Sequence, residues 1–254
     1  MRLFDSHSHF DAPEFDGDLG QALDRAQAAG VFEQLVPAID CQGWPKLRDL
    51  CRTYPGLYPA YGLHPMLVDN HRPEHLDLLR QWIEREGPLA VGECGLDFFL
   101  PNLNPAQQRF YFRAQLEIAR DSGLPVVVHA RRAVEEVIAA LRSVGGLTGV
   151  VHSYPGSEEQ ARQLYGLGFL LGVGGPVTYE RAGRLRRLVA TMPLDRLLLE
   201  TDSPDQPDAQ HRGQRNEPAR LAKVLEVVAH LRGADVADVA LATTSNARRL
   251  FGLD

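Results

Sequence analysis

The sequence predicts an α/β protein, a (β/α)8 TIM barrel, and three observations carry that expectation. Eight short apolar runs alternate with longer amphipathic stretches from end to end, the pattern of parallel strands joined by helical crossovers. A chain of 254 residues suits one such barrel and leaves little room for a second domain. Polar residues fit for metal or proton chemistry gather at one end of six of the runs.

Taken in order, the expected strands are residues 2–7, 32–39, 57–63, 89–95, 125–129, 149–153, 168–174 and 194–201. Most read as apolar runs, as strands covered on both faces must. Between the fourth and fifth lies QQRFYFRAQLEIARDSG (107–123), where Phe110, Ala114, Ile118 and Ala119 recur near helical spacing. Asn104-Pro105 starts that helix and Gly123 stops it. Ser157-Glu158-Glu159-Gln160 is a capping-box sequence. After the last strand comes SPDQPDAQHRGQRNEP (203–218), an irregular stretch of a length usually kept for function. Neither a repeat nor a low-complexity segment interrupts the pattern, so a single domain over 1–254 is expected.

Hydrophobic residues make up 44% and charged residues 24%, as in soluble globular chains. A net charge of −6 gives no bulk attraction to DNA or anionic lipid, so any phosphate must be held by local basic residues. No apolar run approaches the roughly 18 residues of a membrane span, and the opening residues do not read as a signal peptide. Cys41, Cys51 and Cys94 have neither the number nor the spacing of a disulfide framework or a cysteine zinc site. A cytoplasmic protein with reduced cysteines is expected.

The strand ends read HSH, GLHP, GECGLD, VVVHAR, VVHSY and LLLETDSP. In a barrel they converge on one rim, where active sites are built. His7 and His9, two apart, project from one face of a strand. Asp5 shares that face and is placed to orient one imidazole. His129 and His152 each follow an apolar run. Glu93 lies between Leu89-Ala90-Val91 and Gly95-Leu96, and Asp202 follows Leu197-Leu198-Leu199. Either carboxylate would be costly to bury without compensation. Taken singly, each has an ordinary reading, since paired histidines occur on exposed strands and a histidine after an apolar run is commonly a core residue. Together, four histidines and two carboxylates at the ends of five strands make a ligand set for two divalent cations. Imidazole with carboxylate suits zinc, manganese or nickel, and a bridging carboxylate holds two ions about 3.5–4 Å apart.

These residues resemble the TatD family of metal-dependent hydrolases, in the amidohydrolase superfamily. The motifs are FDSHSHFD, AYGLHP, AVGECGLDFF, LPVVVHARRA, VVHSYPGS, LLLETDSP, RGQRNEP and the closing NARRLFGLD. The resemblance implies a barrel with its metal site at the C-terminal strand ends, two divalent ions (zinc, manganese or magnesium) and hydrolysis of phosphoesters. For some members it implies 3′–5′ exonuclease action on single-stranded DNA. It makes His7, His9 and Asp202 ligands of one metal and His129 and His152 ligands of the other, with Glu93 bridging. Cys94 stands where the family often has an aliphatic residue; strand alternation turns it away from the metals, into packing. The stretch SPDQPD departs from the family's commoner SPYLAP, which bears on substrate preference.

Two cations are expected to acidify a bridging water to hydroxide, with Asp202 as general base. His64 would donate a hydrogen bond to a substrate phosphate oxygen. Arg131, Arg215 and Asn216, together with Arg212, are offered for phosphate contacts, which guanidinium groups suit. RLRR (184–187) reads as a solvated helix face, and His71, His75, His211 and His230 receive no role. The same metal pair could attack a small carboxylic ester, lactone or amide, which stands as the alternative substrate class. A complete ligand set argues against a non-catalytic scaffold. The expected partner is a phosphoester, with single-stranded DNA ends the favoured case, no membrane and a monomeric chain.

Overall fold

All eight apolar runs fold as strands in the computed structural model, which describes residues 1–253. In chain order the elements are β1 (Leu3–Asp5), α1 (Leu19–Ala28), β2 (Val31–Pro37), α2 (Trp44–Thr53), β3 (Leu57–Tyr61) and α3 (Glu74–Glu86). Then come β4 (Ala90–Asp97), α4 (Pro105–Ser122), β5 (Val126–Arg131), α5 (Val134–Val144), β6 (Gly149–Val151) and α6 (Glu158–Gly166). The chain continues through β7 (Phe169–Val173), α7 (Gly183–Thr191), β8 (Leu197–Leu199), α8 (Leu221–Arg232) and α9 (Val236–Leu250). The last strand starts later than expected because Leu194–Arg196 closes a 3-10 turn, with Arg196 N–H donating to Pro193 O at 3.1 Å. The final residue of the NARRLFGLD motif, Asp254, lies outside the described residues. Among those described, no helix is long and apolar enough to cross a membrane.

Close backbone contacts divide the chain into two units, Met1–Val36 with the segment from Leu171 onward, and Pro37–Leu170. In the first unit β1 pairs in parallel with β2, Leu3 opposite Val31, and β7 with β8, Leu171 opposite Leu197. The first strand also meets the last, as Ser6 N–H donates to Leu199 O at 2.9 Å. An open sheet leaves its edge strands unpaired, whereas a cyclic one joins first to last. The buried faces of this unit are aromatic and aliphatic: Phe4 stacks on Phe251 at 5.8 Å and Phe10 meets Phe15 at 4.8 Å.

In the second unit β3 to β6 lie side by side in sequence order, all parallel. Val126, Val127 and Val128 are fully buried, which accounts for the unbroken apolar run of β5. Trp44, Tyr61 and Trp82 form an aromatic cluster with ring centroids 5.7 to 6.1 Å apart. The two glycines of GECG have a packing reason. A Cβ on Gly92 would stand 2.7 Å from Val127 O, and one on Gly95 only 2.0 Å from His129 O. Both have φ near +150° (147° and 150°), a region open to glycine alone at such close approach. The strand carrying Glu93 is thereby laid directly against the strand carrying His129.

Local signals set the helix ends. Asn104 Oδ1 accepts from Ala106 N–H at 2.9 Å at the start of α4, and Gly123 ends it with φ +66°. At α6 the capping box forms in both directions, Gln160 N–H to Ser157 Oγ at 3.2 Å and Ser157 N–H to Gln160 Oε1 at 3.0 Å. The buried face of α4 differs from expectation. Phe110 is 52% exposed, while Gln108, Tyr111, Phe112, Gln115, Leu116, Ile118 and Ala119 face inward. Two glutamines, seven residues apart and so on one helix face, turn the helix because each bonds buried main chain.

Candidate metal centre

In the first unit His7, His9 and Asp202 come together. The Nε2 atoms of His7 and His9 are 3.2 Å apart, and Asp202 Oδ1 lies 3.6 and 3.7 Å from them. Main-chain stitching holds the group: Asp202 N–H donates to His7 O at 2.8 Å and His9 N–H to Ser203 O at 2.7 Å. Asp202 sits at φ +57°, a left-handed conformation that aspartate tolerates better than most residues. Among the described residues it is one of three non-glycine residues with such a φ that closely follow strand ends, with Arg132 after β5 and Ser153 after β6. Gln206 donates its amide N–H to Asp202 Oδ2.

Asp5 does not orient an imidazole, as its place on the strand face suggested. Its Oδ1 accepts from Thr201 N–H at 2.9 Å and His7 N–H at 3.2 Å, and its Oδ2 from Thr201 Oγ1 at 2.6 Å. The buried carboxyl sews the chain ahead of Asp202 to the chain ahead of His9, because unpaired amide donors at two strand ends take it first. Burial, with a contribution from the Glu200 carboxylate and against those hydrogen bonds, pushes its pKa up to about 8.

In the second unit Glu93 gathers three imidazoles on one oxygen. His64 Nε2 lies 3.1 Å, His129 Nδ1 3.0 Å and His152 Nε2 2.8 Å from Glu93 Oε1. His129 Nδ1 and His152 Nε2 are 3.2 Å apart. His64 Nδ1 accepts from Met66 N–H at 3.1 Å, so its neutral ring carries the proton on Nε2 and donates it to Glu93. That places the nitrogen expected to meet substrate against the carboxylate, in one cluster with Glu93 and His129.

Both groups fit a divalent cation. A carboxylate oxygen has two lone pairs, so it accepts at most two of three converging N–H donors, and the remaining ring nitrogen presents a lone pair. The facing Nε2 atoms of His7 and His9 make the same demand. Nitrogen and oxygen donors in such sets are the chemistry of zinc and manganese sites.

Sequence reasoning missed the support around Glu93. Asp97 Oδ2 lies 3.0 Å from His129 Nε2, the kind of carboxylate partner that fixes the tautomer of metal-binding histidines. Burial works against ionising Asp97, but His129, the Phe99 N–H and Arg131 outweigh it and hold its pKa below the ordinary range. Burial likewise opposes charge on His129, yet Asp97 and Glu93 push its pKa up. The signal was present, since Asp97 stands four residues after Glu93 on one strand and so shares its face. Two glutamines clamp the strand ends. Gln108 accepts from Asp97 N–H at 2.7 Å and donates to Asp97 O at 2.9 Å; Gln115 does the same for Leu63 at 2.7 and 3.1 Å. His71 Nε2 lies 2.9 Å from His64 O. Cys94 is buried in packing as expected, and burial pushes its thiol pKa up.

The residues expected at substrate phosphate divide. Arg131 lies 3.8 Å from Asp97 Oδ2 with its side chain 45% exposed. Arg215 is otherwise engaged: its two Nη atoms donate to Asp18 Oδ1 and Oδ2 at 2.6 and 2.8 Å, and Nη1 also to Glu14 O at 2.6 Å. Asn216 is buried, donating to Thr201 O and Asp205 O at 2.9 and 2.8 Å and accepting from Glu217 N–H at 3.0 Å. Both residues lock the last loop, since a guanidinium fork filled by one carboxylate has little left for a phosphate. Glu217 completes the lock through Arg25, at 2.7 Å.

The sequence matches the TatD related DNase family over residues 4–252. The chain belongs to the TatD family. It is 39% identical to the uncharacterized metal-dependent hydrolase YjjV of Escherichia coli K12, over 99% of this chain and 98% of that protein. It is 36% identical to the 3′-5′ ssDNA/RNA exonuclease TatD of Cronobacter sakazakii, over 98% and 97%. Against the crystal structure of the Escherichia coli TatD homologue YjjV it gives a TM-score of 0.96, with 38% identity over 100% of this chain and 99% of that one. This TatD-family protein is therefore a metal-dependent hydrolase with the (β/α)8 barrel fold expected from its sequence.

Proposed function

We propose that this TatD-family hydrolase cleaves phosphodiester bonds and removes nucleotides from the 3′ end of single strands. His7, His9 and Asp202 would hold one divalent ion, and Glu93, His129 and His152 another. The observation that supports this best is the convergence of three imidazole nitrogens within 3.1 Å of Glu93 Oε1, a donor set that calls for a cation. The exonuclease name of a relative 36% identical over nearly the whole chain supports the substrate class. When bound, divalent cations supply Lewis-acid polarisation of the phosphoryl group and activation of water.

The chain's own residues supply the rest. Asp202 accepts the proton of the attacking water, while the Gln206 amide on its Oδ2 keeps the carboxylate from rotating. Asp97 holds the His129 ring so that Nδ1 faces Glu93. His64 Nε2 donates to Glu93 and stands ready to donate to substrate when that carboxylate is engaged elsewhere. Arg131 offsets phosphate charge. With a net charge of −6, affinity for a nucleic acid rests on few cations and its salt dependence should be shallow.

The test is metal-reconstituted activity, with magnesium, manganese or zinc, on linear and circular single-stranded DNA. Linear strands should be degraded from the 3′ end, circles should resist, and Glu93→Ala should lose bound metal by elemental analysis. Cleavage of a small carboxylic ester with no oligonucleotide cut under any of the metals would overturn the proposal.

A further inference from the structure

An aromatic side chain stands exposed beside the second metal group, and two arginines are stacked on it. Phe99 follows β4 and is 42% exposed. Its main chain is fixed by the same carboxylate that orients His129: Phe99 N–H donates to Asp97 Oδ1 at 2.9 Å, and Phe98 N–H to Arg131 O at 2.9 Å. The Arg131 guanidinium lies 3.7 Å from the ring centroid and that of Arg132 4.7 Å. Consecutive residues of an extended strand point to opposite faces, so two neighbouring arginines on one ring need a break in the strand. Arg132 supplies it with φ +55°, an uncommon conformation for a long side chain. Among the described residues only Asp97 comes within 4 Å of Arg131 as a carboxylate, at 3.8 Å, and that oxygen also serves His129 at 3.0 Å. Among the described residues Arg132 has no carboxylate partner. The cluster therefore joins an exposed flat ring to two under-neutralised guanidiniums, and its link to His129 runs through a single carboxylate.

We propose that Phe99, Arg131 and Arg132 form a platform for one nucleotide of the substrate strand, the unpaired base stacking on the ring and guanidinium planes and the arginines meeting its phosphate. Flat π surfaces and cationic guanidiniums are how sequence-tolerant single-strand binders hold bases. This inference rests on the phosphodiesterase reading for its substrate, and its test is separate. Binding of thymidine 5′-monophosphate and of 2-deoxyribose 5-phosphate, which lacks the base, is compared by calorimetry with the metal-loaded enzyme. The nucleotide should bind about tenfold more tightly, the scale of one base stack. Phe99→Ala should erase that preference and Phe99→Trp should keep it, while Arg132→Ala should weaken both ligands alike. Phe99 is exposed, so circular dichroism and metal content should match the parent enzyme. Equal affinity for the two ligands in the parent enzyme, or a preference that survives Phe99→Ala, overturns the platform. Hydrolysis of thymidine 5′-monophosphate p-nitrophenyl ester is followed in parallel. Turnover with equal affinities sinks the platform and leaves the phosphodiesterase reading standing. A Phe99-dependent preference without any phosphodiester turnover upholds the nucleotide site and sinks the reading instead.

Discussion

Replacing Gln115 with leucine isolates what a single buried amide contributes to the site. Leucine is nearly isosteric and better suited to a helix, so the change removes hydrogen bonds and little else. Gln115 is fully buried. Its Oε1 accepts from Leu63 N–H at 2.7 Å, and its Nε2 donates to Leu63 O at 3.1 Å and to Tyr111 O at 3.2 Å. Tyr111 O belongs to a helix, whereas the Leu63 amide and carbonyl lie beyond the end of β3 and depend on this side chain. Each buried group left unsatisfied costs about 1–3 kcal/mol, and two such groups, offset by the added apolar burial of leucine, give a loss of about 3 kcal/mol. For a chain of this size that lowers Tm by roughly 6–12 °C. Leu63 immediately precedes His64, so kcat should fall further than the stability loss explains at a temperature where the variant remains folded. Scanning calorimetry and turnover measured well below Tm give both numbers. A Tm within about 2 °C of the parent, which corresponds to under 1 kcal/mol, would refute the claim that the strand end hangs on Gln115.

Other outcomes follow from the last loop and from the β4–β5 contact. Arg215→Ala should lower Tm at neutral pH and leave the salt dependence of DNA binding unchanged, because its guanidinium is held by Asp18; a flattened salt slope would return Arg215 to the substrate. Hydrogen bonds from Arg215 and Arg25 hold the Asp18 carboxyl well below its usual pKa of 3.8, so the stabilisation is complete above about pH 4 and is lost as pH falls through the depressed value. The Tm gap between parent and Arg215→Ala should accordingly narrow on acidification below pH ~4, and a widening gap would contradict the pairing. Gly95→Ala must force a Cβ against His129 O and should cost at least about 4 kcal/mol; soluble, thermally normal protein from that variant would show that the close approach is not needed.

The sequence by itself determined the elements of this protein and singled out most of its candidate metal-holding residues. Strands declared themselves as apolar runs, helix ends as Asn104, Ser157 and Gly123, and the candidate ligands as polar residues interrupting apolar strands at one end. Each of those signals is local, carried by neighbours within a few positions along the chain. Tertiary structure decided what the long polar side chains do. Arg215 meets Asp18 across 197 residues, Asn216 bonds Thr201 across 15, and Gln115 reaches Leu63 across 52. No periodicity links such positions, because a guanidinium or an amide takes whichever partner space brings within 3 Å. The same holds for Asp5, whose carboxyl was claimed by Thr201 from the far end of the chain. It holds for Phe110 too, turned outward because the two glutamines of α4, rather than its aromatic ring, had main chain to satisfy.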